Sequence, residues 1–413
     1  MPRVIVGMSG GVDSSVTAYL LKELGYEVEG SSFILWEAGY GTDFTTCCSL
    51  QAVQEASKTA HHIGIPHNTI DVRDAFIERV IEPFVDAYTK GSTPNPCILC
   101  NRFIKFPFLL NEAEKRGAEY IATGHYARVE PGKSIDNSHQ SNPPSPPFTK
   151  GGSGGINNFS PVTRYLLKKG IDPKKDQSYV LYVLREKELK RLLLPLGYYR
   201  KDEVRKIAQD LNLPAVKRSE SQEICFIEDR NYFKFIEKLS PVAGKPGPIV
   251  DMTGKVIGTH KGIYGYTIGQ RKGLGISSTK PLYVVKIDAV RNTVHVGPQE
   301  AAKGKEFFVE DLNWISTQEG LRPPCEIPPE KSPHTPLWKR GAKGGFFRAS
   351  VKVRSMMKDE PATIFLVRSD ESGVRSIVRV VFDESQWAPA PGQSAVFYDG
   401  DTVIGGGVII KTT

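Results

Sequence analysis

The first third of the chain alternates between short apolar runs and longer segments whose apolar residues recur with helical spacing. The apolar runs predict strands at Val4–Val6, Glu27–Phe33, His67–Asp71 and Tyr120–Thr123. The segments between them predict helices at Asp13–Leu24, Leu50–His61, Phe76–Tyr88 and Phe103–Arg116. Because each strand is followed by a helix, the pattern predicts an α/β fold with a doubly wound parallel sheet. Ligands of such sheets bind beyond the carboxyl ends of the strands.

The later part of the chain changes from helices to strands. A strand at Arg164–Lys168 is followed by predicted helices at Gln177–Leu184, Glu186–Leu193 and Lys201–Leu211. From Leu282 onward the pattern predicts only strands, at Tyr283–Asp288, Thr293–Val296, Phe307–Trp314, Arg348–Arg354, Ala362–Arg368, Ser376–Phe382 and in a last hairpin that turns at Asp399-Gly400. Short strands without helices indicate a small β-barrel. We expect a catalytic α/β domain at 1–218, a linker with a small middle module at 219–281, and an all-β barrel at 282–413.

Two stretches lack any periodic pattern and consist largely of Ser, Pro, Gly and Asn. They lie at 131–162 and 319–346 and are loosely similar to each other. Coincident composition and one inserted element present twice both account for the similarity. Because such stretches bury too little apolar surface to fold, we expect both to be disordered surface loops.

Composition and charge narrow the class of protein. Lys and Arg number 54 against 46 Asp and Glu, which favours a polyanionic partner. No apolar run reaches the roughly 18–20 residues of a membrane span, and the N-terminus has no secretory signal, so we expect a cytosolic protein that binds no membrane. The six cysteines are too sparse for a disulfide scaffold.

The run Ser9–Ser15 follows the first predicted strand directly and precedes the first predicted helix. Its glycines permit a sharp turn, and backbone N–H groups at a helix N-terminus bind phosphate. The run lacks the Gly-Lys-Ser/Thr ending of the common P-loop. It resembles instead the SGGxDS pyrophosphate loop of ATP-pyrophosphatases, which split ATP into AMP and pyrophosphate to adenylate an oxygen of a second substrate. An ordinary Gly/Ser turn is the alternative.

Two further stretches carry cysteines. In Thr93–Asn101, prolines stiffen the approach to Cys97 and Cys100, which we expect in a loop before the Phe103 helix, where a helix N-terminus lowers a thiol pKa. A redox pair, half of a metal or cluster site, a nucleophile with an accessory residue, and two incidental buried thiols all fit this spacing. Cys225 lies in Ser219–Ile227, a connection that could fold over the active site.

With these stretches in view, the chain resembles the bacterial tRNA-specific 2-thiouridylases, which convert the wobble uridine of certain tRNAs to 2-thiouridine. The resemblance covers nearly the whole chain except the two low-complexity stretches. It rests on six motifs in order, at Gly7–Ser15, Thr93–Phe106, Ala122–Arg128, Lys175–Tyr179, Ser221–Phe226 and Gly265–Ile276. It implies an adenine nucleotide alpha hydrolase-like catalytic domain and a tRNA-uridine 2-sulfurtransferase activity.

The resemblance also implies an ATP site, with Asp13 placed to help hold Mg²⁺. The expected ATP-binding residues are Gly7, Met8, Ser9, Gly10, Gly11, Val12, Asp13, Ser14, Phe33 and Gly124. ATP would adenylate the C2 oxygen of the uridine and so turn it into a leaving group. The family assigns Cys225 as the carrier of a persulfide and Cys100 as its catalytic partner, which releases the sulfur and leaves a Cys100–Cys225 disulfide.

Cys97 departs from the family pattern, since some members carry Asp here, thought to act as a base. The sequence Cys97-x-x-Cys100 together with Cys225 therefore leaves an iron–sulfur cluster site open as an alternative. The remaining cysteines, Cys47, Cys48 and Cys325, have no assigned role. Two further interpretations stay open: another pyrophosphate-loop ligase and a non-catalytic RNA-binding protein.

For tRNA, the resemblance implies contacts from the catalytic domain, the middle module and the barrel. The expected residues are Asn95, Pro96, Cys97, His125, Lys175, Asp176, Gln177, Arg354, Ser355 and Gln393. Ser355 departs from the aromatic or basic residue usual beside Arg354. The implied partners are the tRNAs for Lys, Glu and Gln and a protein that donates a persulfide, a sulfur carrier or a cysteine desulfurase. We expect a monomer.

Overall fold

The computed structural model describes residues 1–35, 50–132, 164–217, 224–227, 232–240, 244–315, 345–368 and 376–412. They divide into two compact units. Unit 1 comprises Met1–Val80, Cys97–Arg230 and Asp401–Val403, and unit 2 comprises Ile81–Pro96, Asn231–Gly400 and Ile404–Thr413. Outside the described residues lie Cys47, Cys48, Cys325, nearly all of both low-complexity stretches, and the Ser219–Ile227 stretch up to Glu223.

The strands of the described residues are numbered in chain order. They are β1 (Arg3–Gly7), β2 (Glu27–Ile34), β3 (His67–Asp71), β4 (Tyr120–Thr123), β5 (Ala127–Pro131), β6 (Tyr165–Lys169), β7 (Leu192–Leu193), β8 (Gly247–Val250), β9 (Val256–His260), β10 (Tyr283–Asp288), β11 (Thr293–Gly297), β12 (Lys303–Trp314), β13 (Phe346–Lys352), β14 (Glu360–Arg368), β15 (Ser376–Trp387), β16 (Ser394–Asp399) and β17 (Thr402–Thr412).

The α-helices of the described residues include several short ones. They are α1 (Val12–Glu23), α2 (Leu50–Ile63), α3 (Arg73–Phe76), α4 (Glu82–Thr89), α5 (Pro96–Cys100), α6 (Phe106–Lys115), α7 (Ser178–Leu181), α8 (Glu186–Leu189), α9 (Lys201–Asp210) and α10 (Tyr232–Leu239). Single π-helical turns at Ile77–Ile81 and Asn101–Lys105 join α3 to α4 and α5 to α6. Such turns inside helices are frequent at functional sites.

Unit 1 is built on a parallel sheet in the order β3-β2-β1-β4-β7, which confirms the predicted α/β class. β1 is apolar on both faces and buried, as a central parallel strand must be. Side chains of α1, α2 and α9 form one hydrophobic core cluster with β1, and Val16, Ala60 and Val204 belong to this cluster. From the central strand β1, the sheet continues through β2 to β3 at one edge and through β4 to β7 at the other. Ligands of open α/β sheets bind at such a switch point.

One predicted helix of unit 1 is wrong over half its length. The helix expected at Glu186–Leu193 ends at Leu189, and Leu192–Leu193 instead forms β7 beside β4. Leu192 is buried there. The edge of β4 offers unpaired backbone groups and an apolar surface, and this tertiary pairing overrides the local helical spacing.

Unit 2 contains a small sheet and a barrel. The small sheet has the order β10-β11-β8-β9, so the hairpin β10–β11, which the sequence pattern groups with the barrel strands, pairs with the strands that precede it. The barrel strands follow the circuit β12-β15-β14-β13-β16-β17 and close where β17 pairs with β12. Its core includes Phe307, Phe382 and Phe397, and closure removes exposed sheet edges. The predicted all-β barrel is confirmed.

We predict that Gly197→Ala lowers the stability of unit 1. A Cβ at Gly197 would overlap the carbonyl oxygen of Ala127 in β5, and backbone cannot move aside cheaply. Overpacking of this kind costs roughly 1–3 kcal/mol, or several degrees of thermal midpoint. Calorimetry measures the effect, with Gly244→Ala as the control, because a Cβ at Gly244 meets no atom within 4 Å. Equal midpoints for the two variants would contradict the prediction.

Candidate active site

The turn between β1 and α1 lies at the switch point of the parallel sheet. Gly10 has φ +72°, a left-handed conformation that favours glycine. Gly11 is the N-cap of α1 and no side-chain hydrogen bond caps the helix there. The N-terminal turn of α1 therefore presents backbone N–H groups and the positive end of the helix dipole, an arrangement that binds anions.

The backbone that follows β4 approaches this turn closely. A Cβ at Gly124 would lie 2.8 Å from both Asp13 C and Ser14 N, so the position has no room for a side chain. Gly124 thus lies against the first turn of α1, which brings three of the sequence-predicted ATP positions together, Gly124, Asp13 and Ser14. Phe33, another predicted ATP position, is partly buried near the carboxyl end of β2, at the same edge of the sheet.

Hydroxyl groups hold the turn in shape. The Ser14 hydroxyl accepts from Ser9 N at 3.1 Å and donates to Gly11 O at 3.2 Å, and the Ser15 hydroxyl donates to Gly11 O at 2.8 Å. Of the other predicted ATP positions, Gly7 ends β1, Val12 begins α1, and Met8 is buried with its N–H bonded to Ser31 O at 2.8 Å. The hydroxyl groups of Ser14 and Ser15 therefore stabilise the turn through hydrogen bonds to its own backbone.

Asp13 is the centre of a charged contact that the sequence does not indicate. Its Oδ1 accepts from the Tyr126 hydroxyl at 2.7 Å and from Lys201 Nζ at 2.7 Å. The Lys201 side chain is only 9% exposed, against 35% for Asp13, and its ammonium lies 5.7 Å from the centre of the Tyr126 ring. Lys201 begins α9, and nothing in the sequence around it distinguishes it from an ordinary helix start.

The predicted tRNA positions before α7 support this contact through Tyr126. Gln177 Oε1 accepts from Tyr126 N at 2.9 Å, and Gln177 N donates to Tyr126 O at 2.9 Å. Asp176 accepts from Gly170 N and from both the N–H and the hydroxyl of Ser178. Asp176 and Gln177 therefore fix the local backbone, while the neighbouring Lys175 is partly exposed.

His125 is buried beside Gly124. Its Nδ1 lies 2.7 Å from the Thr123 hydroxyl, and its ring stacks on Phe106 at 6.0 Å between centres. Burial, with a smaller contribution from the charge of Lys105, holds the pKa of His125 well below 6.5. The imidazole is therefore neutral at physiological pH and acts as a hydrogen-bonding group, not as a cation.

Cys97 and Cys100 lie in α5, so the expectation that they occupy a loop is wrong. Proline fits the first position of a helix, and Pro96 begins α5 there. The spacing of three residues makes the two thiols neighbours on the helix surface. Cys97 is exposed and Cys100 is buried. Asn101, next to Cys100, donates from Nδ2 to Val180 O at 2.8 Å and so ties this helix to α7.

Cys225 lies in a turn, closed by Ile227 N donating to Ile224 O at 3.1 Å. Phe226 anchors the turn, since it is buried and packs edge-on against Phe76 with 5.6 Å between ring centres. Cys225 itself is partly buried. The described residues include no group of three or more His, Cys, Asp or Glu side chains placed to hold a metal ion.

The remaining predicted tRNA positions belong to unit 2. Gln393 Nε2 donates to Thr93 O at 2.9 Å, and Thr93 N donates to Pro391 O at 2.8 Å, so the barrel holds the segment that leads to Asn95 and Pro96. Arg354 Nη2 donates to Ile268 O at 2.8 Å and to Ala388 O at 3.1 Å.

The predicted tRNA positions beside these hydrogen bonds differ in solvent exposure. Asn95 and Ser355 are partly exposed, while Pro96 is buried. The Gln393 amide and the Arg354 guanidinium thus bind the backbone of unit 2 itself.

No helix among the described residues has the length and apolar character needed to cross a membrane.

Comparison with known proteins covers the whole chain. Family models described as tRNA methyl transferase HUP domain, tRNA methyl transferase PRC-barrel domain and Aminomethyltransferase beta-barrel domain match residues 2–229, 234–298 and 330–409. The chain is 45% identical over 412 residues to tRNA-specific 2-thiouridylase MnmA 1 of Caldanaerobacter subterraneus subsp. tengcongensis, covering 99% of this chain and 98% of that protein. It is 41% identical over 411 residues to tRNA-specific 2-thiouridylase MnmA of Clostridioides difficile, covering 99% and 98%.

The HUP-domain match spans more than half of the chain, and both relatives align from end to end. The parallel sheet, the small middle sheet and the closed barrel follow one another in the order of the three matched models. This chain therefore belongs to the family of bacterial tRNA-specific 2-thiouridylases.

Proposed function

We propose that this protein is a sulfurtransferase that converts the wobble uridine of tRNA to 2-thiouridine at the expense of ATP. The observation that carries the proposal is that one compact unit holds both an anion-binding turn at the sheet switch point and the cysteines Cys100 and Cys225. The turn suits the phosphates of ATP and the cysteines suit sulfur transfer. The end-to-end likeness to proteins named tRNA-specific 2-thiouridylases supports the same reaction.

The first half-reaction activates an oxygen. The uracil C2 oxygen attacks the α-phosphorus of ATP, the bond from that phosphorus to the bridging oxygen breaks, and pyrophosphate leaves. The N–H groups of the α1 turn hold phosphate oxygens, and the backbone of Gly124 lies against Asp13 and Ser14 at this turn. The residues fit Mg²⁺ as well, because that ion commonly takes one or two carboxylates plus substrate phosphates and Asp13 supplies a carboxylate at the turn. When bound, Mg²⁺ neutralises phosphate charge.

The second half-reaction replaces that oxygen with sulfur. The Cys100 thiolate attacks the inner sulfur of a persulfide on Cys225, which forms a Cys100–Cys225 disulfide and releases the outer sulfur as sulfide. Sulfide attacks C2 of the adenylated uracil and AMP leaves. The disulfide then needs a two-electron thiol reductant before the next turnover. The buried position of Cys100 and the partly buried position of Cys225 suit sulfur transfer shielded from water.

We predict that Cys100→Ser and Cys225→Ser each abolish 2-thiouridine formation. Both variants should still bind ATP and tRNA with wild-type affinity, because a hydroxyl replaces the thiol with little change of shape. Mass analysis of tRNA nucleosides measures the product, and Cys325→Ser is the matched control that should remain active. Substantial 2-thiouridine from either of the first two variants would contradict the assignment.

Metal content separates this chemistry from a cluster mechanism that uses Cys97, Cys100 and Cys225. The persulfide mechanism expects full activity from protein purified without oxygen and shown to hold no iron. Activity that appears only after iron and sulfide are restored would favour the cluster mechanism.

We also propose that tRNA is read as a single-stranded anticodon loop whose target base is turned out of the stack. Proteins recognise such loops by hydrogen bonds to splayed bases. Asn95, Pro96 and Cys97 are our choice for the segment that meets the base, and the neutral His125 suits a hydrogen bond to it. The proposed outer contacts are Lys175, Asp176, Gln177, Arg354, Ser355 and Gln393.

The same proposal extends to partners that the resemblance to the 2-thiouridylases implies. The substrates are the tRNAs for Lys, Glu and Gln, and sulfur comes from a persulfide-donating sulfur carrier or cysteine desulfurase. We further propose that the enzyme acts as a monomer in the cytoplasm. The excess of basic residues supports a polyanionic substrate.

We predict that tRNA affinity falls by at least about tenfold between roughly 50 and 200 mM salt, because phosphate contacts release counterions. Lys175→Gln should lower the slope of log affinity against log salt by about one, as for the loss of one phosphate contact. Lys187→Gln is the matched control, since Lys187 is an exposed lysine paired with Glu188. Filter binding across a salt series measures both, and an unchanged slope in Lys175→Gln would remove that residue from the interface.

A further inference from the structure

The turn that we propose to bind ATP has no basic side chain of its own. The run Ser9–Ser15 contains glycines, serines, a valine and Asp13, whereas a P-loop carries a lysine that reaches the β- and γ-phosphates. ATP brings several negative charges to a place where the Asp13 carboxylate already lies. A helix N-terminus supplies only about half a unit of positive charge. A basic side chain from elsewhere in the fold would add to the positive charge that the helix N-terminus and Mg²⁺ supply.

Lys201 is a buried cation at this position. Its ammonium lies 2.7 Å from Asp13 Oδ1, and the Tyr126 hydroxyl lies 2.7 Å from the same oxygen. A lysine that is 9% exposed has lost most of its hydration, which is costly unless charged or polar partners replace the water. An ammonium has three donor hydrogens, and a phosphate oxygen that enters the site would share them with Asp13 and the other groups around Lys201.

The backbone around Lys201 is held rigidly. Lys201 N donates to Asp172 Oδ2 at 3.1 Å, and Arg200 N donates to Glu203 Oε2 at 2.8 Å at the start of α9. Farther along the helix, Val204 and Ala208 are fully buried in the core cluster that includes Val16 of α1. The ammonium is thus fixed relative to the turn by packing, as a preorganised binding group must be.

We propose that Lys201 is the phosphate-binding cation of this ATP site, held in place by Asp13 until a phosphate oxygen shares its hydrogen bonds. The inference rests on the proposed use of ATP. It assigns Asp13 two roles, since the carboxylate orients Lys201 before the nucleotide binds and is available to Mg²⁺ afterwards. The alternative role for Lys201 is structural, in which it does nothing except neutralise the buried side of Asp13.

A double-mutant cycle on ATP binding separates the two roles. The full-length protein is titrated with ATP in EDTA, so that no divalent cation contributes to binding. The variants are Lys201→Met, Asp13→Asn and the double variant, and equilibrium dialysis gives each dissociation constant. Lys168→Met is the matched control, because Lys168 is another partly buried lysine of unit 1, paired with Glu130 and Asp401.

A phosphate-binding Lys201 predicts that Lys201→Met weakens ATP binding by about 10- to 100-fold, the usual value of a hydrogen bond to a charged group. Asp13→Asn is the reference for the double variant, because its amide removes the repulsive charge and keeps an oxygen that can accept a hydrogen bond from Lys201. The double variant should bind about 10- to 100-fold more weakly than Asp13→Asn, and Lys168→Met should match wild type.

Equal affinities of the double variant and Asp13→Asn would overturn the inference, because Lys201 would then act only through Asp13. Unchanged affinity in Lys201→Met overturns it as well and leaves the proposed ATP use standing, whereas absence of ATP binding by wild type even with Mg²⁺ defeats the proposed function itself. If Lys201→Met leaves Asp13 uncompensated and fails to fold, the comparison of the double variant with Asp13→Asn decides, since neither contains that buried charge.

Discussion

The close approach of Gly124 to the first turn of α1 is the constraint on which the site depends. With 2.8 Å between the position of a Cβ and the backbone of Asp13 and Ser14, the chain after β4 must pass the turn without a side chain. That passage sets the next residues in place, so that His125 stacks on Phe106 and Tyr126 reaches Asp13. Lys201 then meets the same carboxylate from α9. Three separate parts of unit 1 thereby converge at one carboxylate.

The sulfur chemistry that we propose depends on a different kind of positioning. Cys100 lies in a helix whose continuation is tied to α7 by Asn101, whereas Cys225 lies in a short turn anchored by the aromatic residue Phe226. In the proposed reaction the two cysteines have different tasks. The nucleophile Cys100 attacks from a position in a helix, while the carrier Cys225 receives sulfur from outside before it delivers it. Loops positioned by a rigid scaffold commonly carry such functional residues.

Much of the fold can be predicted from the sequence because its signals are local. Alternating strand and helix patterns predict the parallel sheet, and the Asp399-Gly400 turn, with Gly400 at φ +59°, marks the last hairpin. The strand at Leu192–Leu193 cannot be predicted in this way, because the edge of β4 that it pairs with is distant in sequence. The helix that holds Cys97 and Cys100 has a local signal after all, since Pro96 is typical of a helix start.

The candidate site also has one part that can be predicted from the sequence and another that cannot. The turn after β1 can be recognised because it is one continuous run, whereas Lys201 lies 188 residues from Asp13 and carries no motif of its own. Gln393 and Arg354 are expected to face tRNA, and their hydrogen bonds to Thr93, Ile268 and Ala388 depend on tertiary folding that spacing does not reveal. Local chemistry is visible in a sequence, but the partners of a side chain are usually not.

The central claim is that ATP activates the C2 oxygen of the target uridine, and an isotope experiment tests it most directly. A tRNA whose target uridine carries ¹⁸O at C2 is reacted once with the enzyme, ATP and a persulfide donor, and the AMP is analysed by mass spectrometry. We expect one ¹⁸O in AMP for each 2-thiouridine formed, because the bond from C2 to that oxygen breaks when sulfide attacks. Thiolated tRNA accompanied by unlabelled AMP would contradict it.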